Sequence, residues 1–139
     1  MDLDRPITSI MTREVTTIEP EAPLEDAERI LFSNSFKHLP VLKEDRLVGI
    51  LSKTDIKRMS FAQDLDDFEA NVDEAMVQMF TVGNIMVSKP FTVQQDATIR
   101  DVAKVLSEKE FRSVPVMDGE TLAGIVTTSD IIRAILEEV

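Results

Sequence analysis

Leu47-Val48-Gly49-Ile50-Leu51-Ser52-Lys53-Thr54-Asp55-Ile56-Lys57-Arg58 is matched, 75 residues further on, by Leu122-Ala123-Gly124-Ile125-Val126-Thr127-Thr128-Ser129-Asp130-Ile131-Ile132-Arg133. Each stretch runs from an apolar segment built around a glycine, through a hydroxyl residue, to an aspartate three positions later. Carried outward without a gap, the same shift lays Phe36-Lys37-His38-Leu39-Pro40-Val41 on Phe111-Arg112-Ser113-Val114-Pro115-Val116. It also lays Ile10-Met11 on Ile85-Met86 and Ala22 on Ala97. A register that keeps Pro, Gly and Asp in step over so much chain marks an internal duplication, and a duplication decides the architecture before any single element does.

Within each copy the periodicities alternate. Leu24, Ala27, Ile30 and Leu31 recur at helical spacing, as do Ile99, Val102, Val105 and Leu106, so each predicts a helix with one buried stripe. Pro23 suits a first helical turn, where its missing N–H is no loss. His38–Leu42 predicts a strand, Glu44-Asp45 and Asp118-Gly119-Glu120 supply turn chemistry, and Leu47–Leu51 and Leu122–Val126 predict the returning strands of two hairpins. Ser52 or Thr54, and Thr127 or Ser129, are candidate N-caps of a closing helix. Short extended segments at Val15–Ile18 and Phe91–Val93 precede the first helix of each copy. The predicted fold class is α+β, with two pseudo-symmetric β-α-β-β-α repeats packed as one module. Each unit has about fifty residues, too few to bury its own sheet face well, which favours packing of two copies.

Repeat 1 is read over residues 5–59 and repeat 2 over 81–137, with 60–80 as an acidic connector. Phe61, Leu65, Phe68, Val72, Met76 and Met79 fall three and four apart there, which predicts an amphipathic helix. A calcium loop fits poorly, because Phe68 and Glu69 stand where a ligand and a glycine are needed.

Composition excludes several kinds of chemistry. With no cysteine among 139 residues, there is no disulfide, thiolate or cysteine-ligated metal, and a single histidine rules out a histidine cage. A net charge of -11 disfavours nucleic acid as a partner, since phosphate neutralisation needs a basic footprint. No apolar run approaches the ~20 residues of a membrane helix, and the acidic opening is not expected to act as a secretory signal. The expectation is a soluble, cytoplasmic protein without membrane insertion. Neither a Walker A loop, G-x-G-x-x-G, H-E-x-x-H nor G-x-S-x-G occurs, so an enzyme is not expected and no catalytic or metal-binding residues are assigned.

The informative chemistry lies at the hairpin ends. Gly, two apolar residues, a hydroxyl, two variable residues and Asp place a hydroxyl and free N–H groups at a helix start, a favourable seat for a phosphate. The aspartate one turn on can accept two hydrogen bonds from a vicinal diol such as a ribose. The same residues also make a sound helix cap with no ligand at all, and the pattern leaves both readings open.

In this order and in duplicate, the Ile-Met openings, the Pro-Val strand starts (Pro40-Val41, Pro115-Val116) and the Gly-x-x-[Ser/Thr]-x-x-Asp ends resemble the CBS domain family, specifically the tandem pair called a Bateman module. The resemblance covers nearly the whole chain. It implies a non-catalytic sensor without a cofactor, binding AMP, ADP or ATP, or S-adenosylmethionine, in clefts between the repeats. It further implies association into a homodimer and regulation of an attached or separate enzyme or transporter. Carried across, the ribose contacts fall on Asp55 and Asp130 and the phosphate-side hydroxyls on Ser52 and Thr127. Lys37, His38 and Pro40, with Arg112, Ser113 and Pro115, stand at the strand starts that reach phosphate. Thr16, Thr17, Phe91 and Thr92 would line the base. Lys53 and Lys57 read as solvated charges, and His38 as a partly buried strand residue. The competing reading is a ligand-free interaction module in which the Ser/Thr-x-x-Asp ends only cap helices.

Overall fold

The computed structural model describes residues 1–64 and 78–138. Most of the predicted connector helix lies outside them. Five α-helices are described: α1 (Leu24–Ser33), α2 (Lys53–Asp64), α3 (Val82–Ile85), α4 (Ile99–Glu108) and α5 (Thr128–Glu137). Six strands accompany them: β1 (His38–Lys43), β2 (Arg46–Ser52), β3 (Val87–Ser88), β4 (Val93–Gln94), β5 (Ser113–Asp118) and β6 (Thr121–Thr127). They form two sheets, in the orders β1-β2-β3 and β4-β5-β6. The α+β class and the duplicated helix–hairpin–helix core are as expected.

The chain divides into two compact units, residues 16–89 and residues 1–15 with 90–139. In the first, β1 and β2 make the predicted hairpin, with His38 opposite Ser52 and Lys43 opposite Arg46. Its two turn residues, Glu44 and Asp45, have φ of 50° and 66°, left-handed for both. Leu24, Ala27 and Leu31 of α1, Leu39 and Val41 of β1, Leu51 of β2 and Ile56 of α2 close into one core, joined by Val82. In the second unit, Ile99 and Val102 of α4, Val114 and Val116 of β5, Val126 of β6 and Ile131 of α5 do the same, joined by Ile7. Apart from Leu31, each core residue of the first unit stands 75 positions from one in the second, Val82 and Ile7 included.

That last pair shows an exchange the repeat register does not disclose. The opening segment of repeat 1 packs on the sheet of repeat 2: Thr12 pairs with Ile125 of β6, and Ile7 N–H donates to the Ala97 carbonyl at 2.7 Å. The opening segment of repeat 2 packs on the sheet of repeat 1, as β3 against Gly49 and Ile50 of β2, with Val82 N–H donating to the Ala22 carbonyl at 2.9 Å.

Two local expectations are corrected. The first strand of repeat 1 is reduced to a single parallel bridge, Ile18 with Val41, because Pro20 two residues on has no N–H to continue a ladder. In repeat 2 the equivalent is β4, two residues long and parallel to β5. Pro23 stands at the N-cap of α1 rather than within its first turn, with φ −60° and ψ 140°. Its counterpart Thr98 forms a full capping box with Asp101. The Thr98 bonds hold the Asp101 carboxyl below its ordinary range.

Candidate functional site

At the end of each hairpin the backbone is held by the same bond. Lys53 N–H donates to the Lys37 carbonyl at 2.9 Å, and Thr128 N–H to the Arg112 carbonyl at 3.0 Å. These bonds tie the first residue of α2 or α5 to the residue before β1 or β5. Ser52 and Thr127 cap those helices, while Thr54 and Ser129 do not. Asp55 N–H donates to Ser52 Oγ at 3.0 Å and Ser52 N–H to Asp55 Oδ2 at 2.9 Å. The Thr127–Asp130 box repeats this at 3.1 and 2.9 Å.

Each aspartate also accepts from an arginine one turn on, Arg58 at 3.5 Å and Arg133 at 3.1 Å. Both carboxylates are only 13% exposed, and both arginines are largely in solvent. These arginines were not assigned from the sequence, although Asp55/Arg58 and Asp130/Arg133 stand at ion-pair spacing in both copies. A carboxylate oxygen holds two acceptor sites, so each aspartate keeps capacity for a further donor.

The strand register brings His38 beside Ser52 and Ser113 beside Thr127. Ser113 is buried and His38 half-buried. Burial holds the His38 imidazole below its ordinary pKa, against the opposing pull of the Asp55 carboxylate. Pro40 and Pro115 are buried mid-strand, opposite Ile50 and Ile125. Lys37 and Arg112 are exposed. The parallel bridge at Ile18 carries Thr16 and Thr17 along the start of β1; Thr16 is exposed and Thr17 half-buried. In repeat 2, Thr92 is half-buried and Phe91 is 46% exposed. The Phe91 ring stacks on Phe111, with centroids 5.9 Å apart and planes 20° from parallel.

Phe111 also lines an open groove of about 420 Å³, together with Leu106, Lys109, Glu110, Arg112 and Thr128. The volume falls in the range of small-molecule sites, about 300–1,000 Å³. Its lining carries two cations against one carboxylate, beside the start of α5. Repeat 1 differs. Thr16 replaces Phe91, and Lys53 replaces Thr128. The Lys53 ammonium lies 4.5 Å from the centroid of Phe32, which corrects the expectation that Lys53 is merely solvated. Neither the Phe91–Phe111 pair nor the Lys53–Phe32 pair was readable as a contact from sequence spacing. Among the described residues no group of histidines, cysteines or carboxylates is placed to hold a metal ion. No described helix is long and apolar enough to cross a membrane.

The CBS domain family model matches this chain twice, over residues 7–61 and 82–137. The chain belongs to the CBS domain family. As a tandem CBS pair it is 33% identical over 139 residues to an uncharacterized protein of Methanocaldococcus jannaschii, covering 96% of this chain and 32% of that protein. It is 29% identical over 125 residues to the inosine-5'-monophosphate dehydrogenase of Thermoplasma acidophilum, covering 89% of this chain and 22% of the enzyme. The chain therefore spans less than a third of either relative.

Two solved CBS pairs match it over nearly their full length. CBSX2 of Arabidopsis thaliana, in complex with AMP, is 25% identical with a TM-score of 0.78, covering 96% of this chain and 98% of that one. The CBS pair of protein MJ0100, in complex with 5-methylthioadenosine and S-adenosyl-L-methionine, is 26% identical with a TM-score of 0.78 and the same coverage.

Proposed function

We propose that this CBS pair is a regulatory sensor that binds an adenosine-containing ligand and passes the bound state to a partner protein. The observation that carries the proposal is the groove lined by Phe111, Arg112 and Thr128, with Phe91 stacked on Phe111 and Asp130 in the first turn of α5. An exposed aromatic face takes a purine ring, worth about 1–3 kcal/mol per stacked base in nucleic-acid sites. The Asp130 oxygens accept from a ribose diol, and Arg112 supplies the positive charge for a phosphate beside the start of α5, whose Thr127, Thr128 and Asp130 N–H groups already have intrachain acceptors. The overall charge of -11 does not oppose this at short range, since screening confines its reach to about 8–10 Å at physiological salt. The adenosine ligands bound by CBSX2 and MJ0100 support the ligand class. AMP, ADP, ATP and S-adenosylmethionine are the candidates. A homodimer and a regulated enzyme or transporter complete the proposal.

Calorimetric titration of those four compounds into wild type, Asp55→Ala and Asp130→Ala tests it. Saturable binding by wild type that is lost with Asp130→Ala is the expected result. Folded proteins that bind none of the four overturn it.

The competing reading, a ligand-free interaction module, is favoured by one feature: the Asp55 and Asp130 oxygens already have intrachain donors. Under that reading both alanine variants lose stability, and wild type gives no heat with any ligand.

A further inference from the structure

We infer that the two repeats of this chain are unequal as sites, and that Lys53 closes the first of them, leaving one adenosine-phosphate site per chain on the Asp130 side. The inference rests on the adenosine-ligand reading above and deepens it.

The local framework is common to both repeats. The bonds Lys53 N–H to Lys37 carbonyl and Thr128 N–H to Arg112 carbonyl place residues 53 and 128 at equivalent points, the first turn of the closing helix. In repeat 2 that residue is a short threonine, and the space between it and Leu106 near the end of α4 is an open groove. In repeat 1 it is a lysine whose ammonium reaches the ring of Phe32, near the end of α1, at 4.5 Å. The two ends of that contact sit on the elements that form the two walls of the groove in repeat 2. Leu31, the repeat 1 counterpart of the groove-lining Leu106, has no exposed surface, as a space covered by the Lys53 stem requires.

Phe32 occupies the place of Ser107, which offers no ring to hold an ammonium. A charge seated on an aromatic face is held there by the ring quadrupole. A further difference acts in the same direction. Thr16 stands where Phe91 supplies the stacking face, so repeat 1 lacks the aromatic platform as well. Three positions in one register, 16, 32 and 53, thus each work against a stacked, phosphorylated ligand in repeat 1.

Titration of AMP and of ATP into the full chain, with stoichiometry as the readout, tests the assignment. Wild type is expected to bind one equivalent, abolished by Asp130→Ala and retained by Asp55→Ala. Thr16→Phe alone, which restores the platform under a closed groove, is expected to stay at one equivalent. Thr16→Phe combined with Lys53→Thr is expected to bind two, the second lost again when Asp55→Ala is added. Thermal melts confirm that each variant is folded, and both substituted positions lie at the surface or half-buried. Two equivalents for wild type, or for Thr16→Phe alone, overturn the role of Lys53. A folded double variant that stays at one equivalent overturns it too. In each of those cases the adenosine reading survives. No binding of either nucleotide by any of these proteins overturns both together.

Discussion

Gly124 and Met11 are packed so closely that no methyl group fits between them. A Cβ built on Gly124 would stand 2.6 Å from the Thr12 carbonyl oxygen and 2.9 Å from Met11 Sδ. The relation recurs in the other unit, where a Cβ on Gly49 would meet Met86 Sδ and lie 2.9 Å from the Val87 carbonyl oxygen. In both cases a backbone atom is among the obstacles, so side-chain adjustment does not relieve the clash. Gly124→Ala and Gly49→Ala are each expected to lower stability by about 1–3 kcal/mol, in the range of overpacked sites. Urea unfolding measures this, and an unchanged midpoint for either variant would contradict the packing described.

In the absence of ligand, removing the cap hydroxyl measures what the cap contributes to stability. Thr127→Ala deletes the acceptor for Asp130 N–H and is expected to cost about 1 kcal/mol of stability. Thr127→Ser keeps an oxygen in place and should restore most of the loss. In the other unit Ser52→Ala should cost a similar amount and Ser52→Thr should keep most of the stability, as followed by thermal unfolding.

His38 makes stability depend on pH near neutrality. Its pKa in the folded protein lies below the ordinary 6.5, with burial as the largest cause. The unfolded chain therefore takes up the proton first as pH falls. Stability from the neutral imidazole is complete above about pH 6.5 and declines below it, levelling off once pH drops under the folded-state pKa. Unfolding free energy measured from pH 8 to pH 5 should fall for wild type, with a smaller fall for His38→Gln. Equal slopes for the two proteins would remove His38 as the source.

The β1–β2 turn is open to improvement. Glu44 and Asp45 both hold left-handed backbone, while the equivalent first turn residue of the second hairpin is Gly119, at φ 63°. Left-handed backbone is costly for residues bearing a Cβ, and Asn-Gly is the preferred pair for a turn with two positive φ values. Replacing Glu44-Asp45 with Asn-Gly should raise stability by about 1 kcal/mol. Gly119→Ala should lower it by a similar amount. Differential scanning calorimetry of both variants distinguishes these signs.

Much of the local structure is legible in the residues themselves. Leu24, Ala27 and Leu31 announce the buried face of α1 because helical geometry turns spacing into a stripe. Ser52–Asp55 and Thr127–Asp130 announce capping boxes because a cap bond spans only three residues. The Asp–Arg pairs belong to the same short-range class. The aromatic pair Phe91–Phe111 does not, since twenty residues separate the two rings and only the parallel pairing of β4 with β5 aligns them. The Lys53–Phe32 contact likewise depends on α1 and α2 ending up side by side.

The sequence by itself determined the duplication, the α+β elements, the two hairpins and the positions of both aspartates, because each follows from periodicity or from bonds a few residues long. Only the tertiary structure decided where each opening segment goes. Ile7–Met11 and Val82–Met86 carry near-equivalent apolar patterns, and Gly49 and Gly124 offer near-equivalent gaps to receive a methionine. Pattern alone therefore fits either segment to either sheet. The folded chain resolves the choice by exchange, seating Met11 on Gly124 and Met86 on Gly49. The same long-range packing sets Thr128 beside an open groove and brings the Lys53 ammonium to the Phe32 ring.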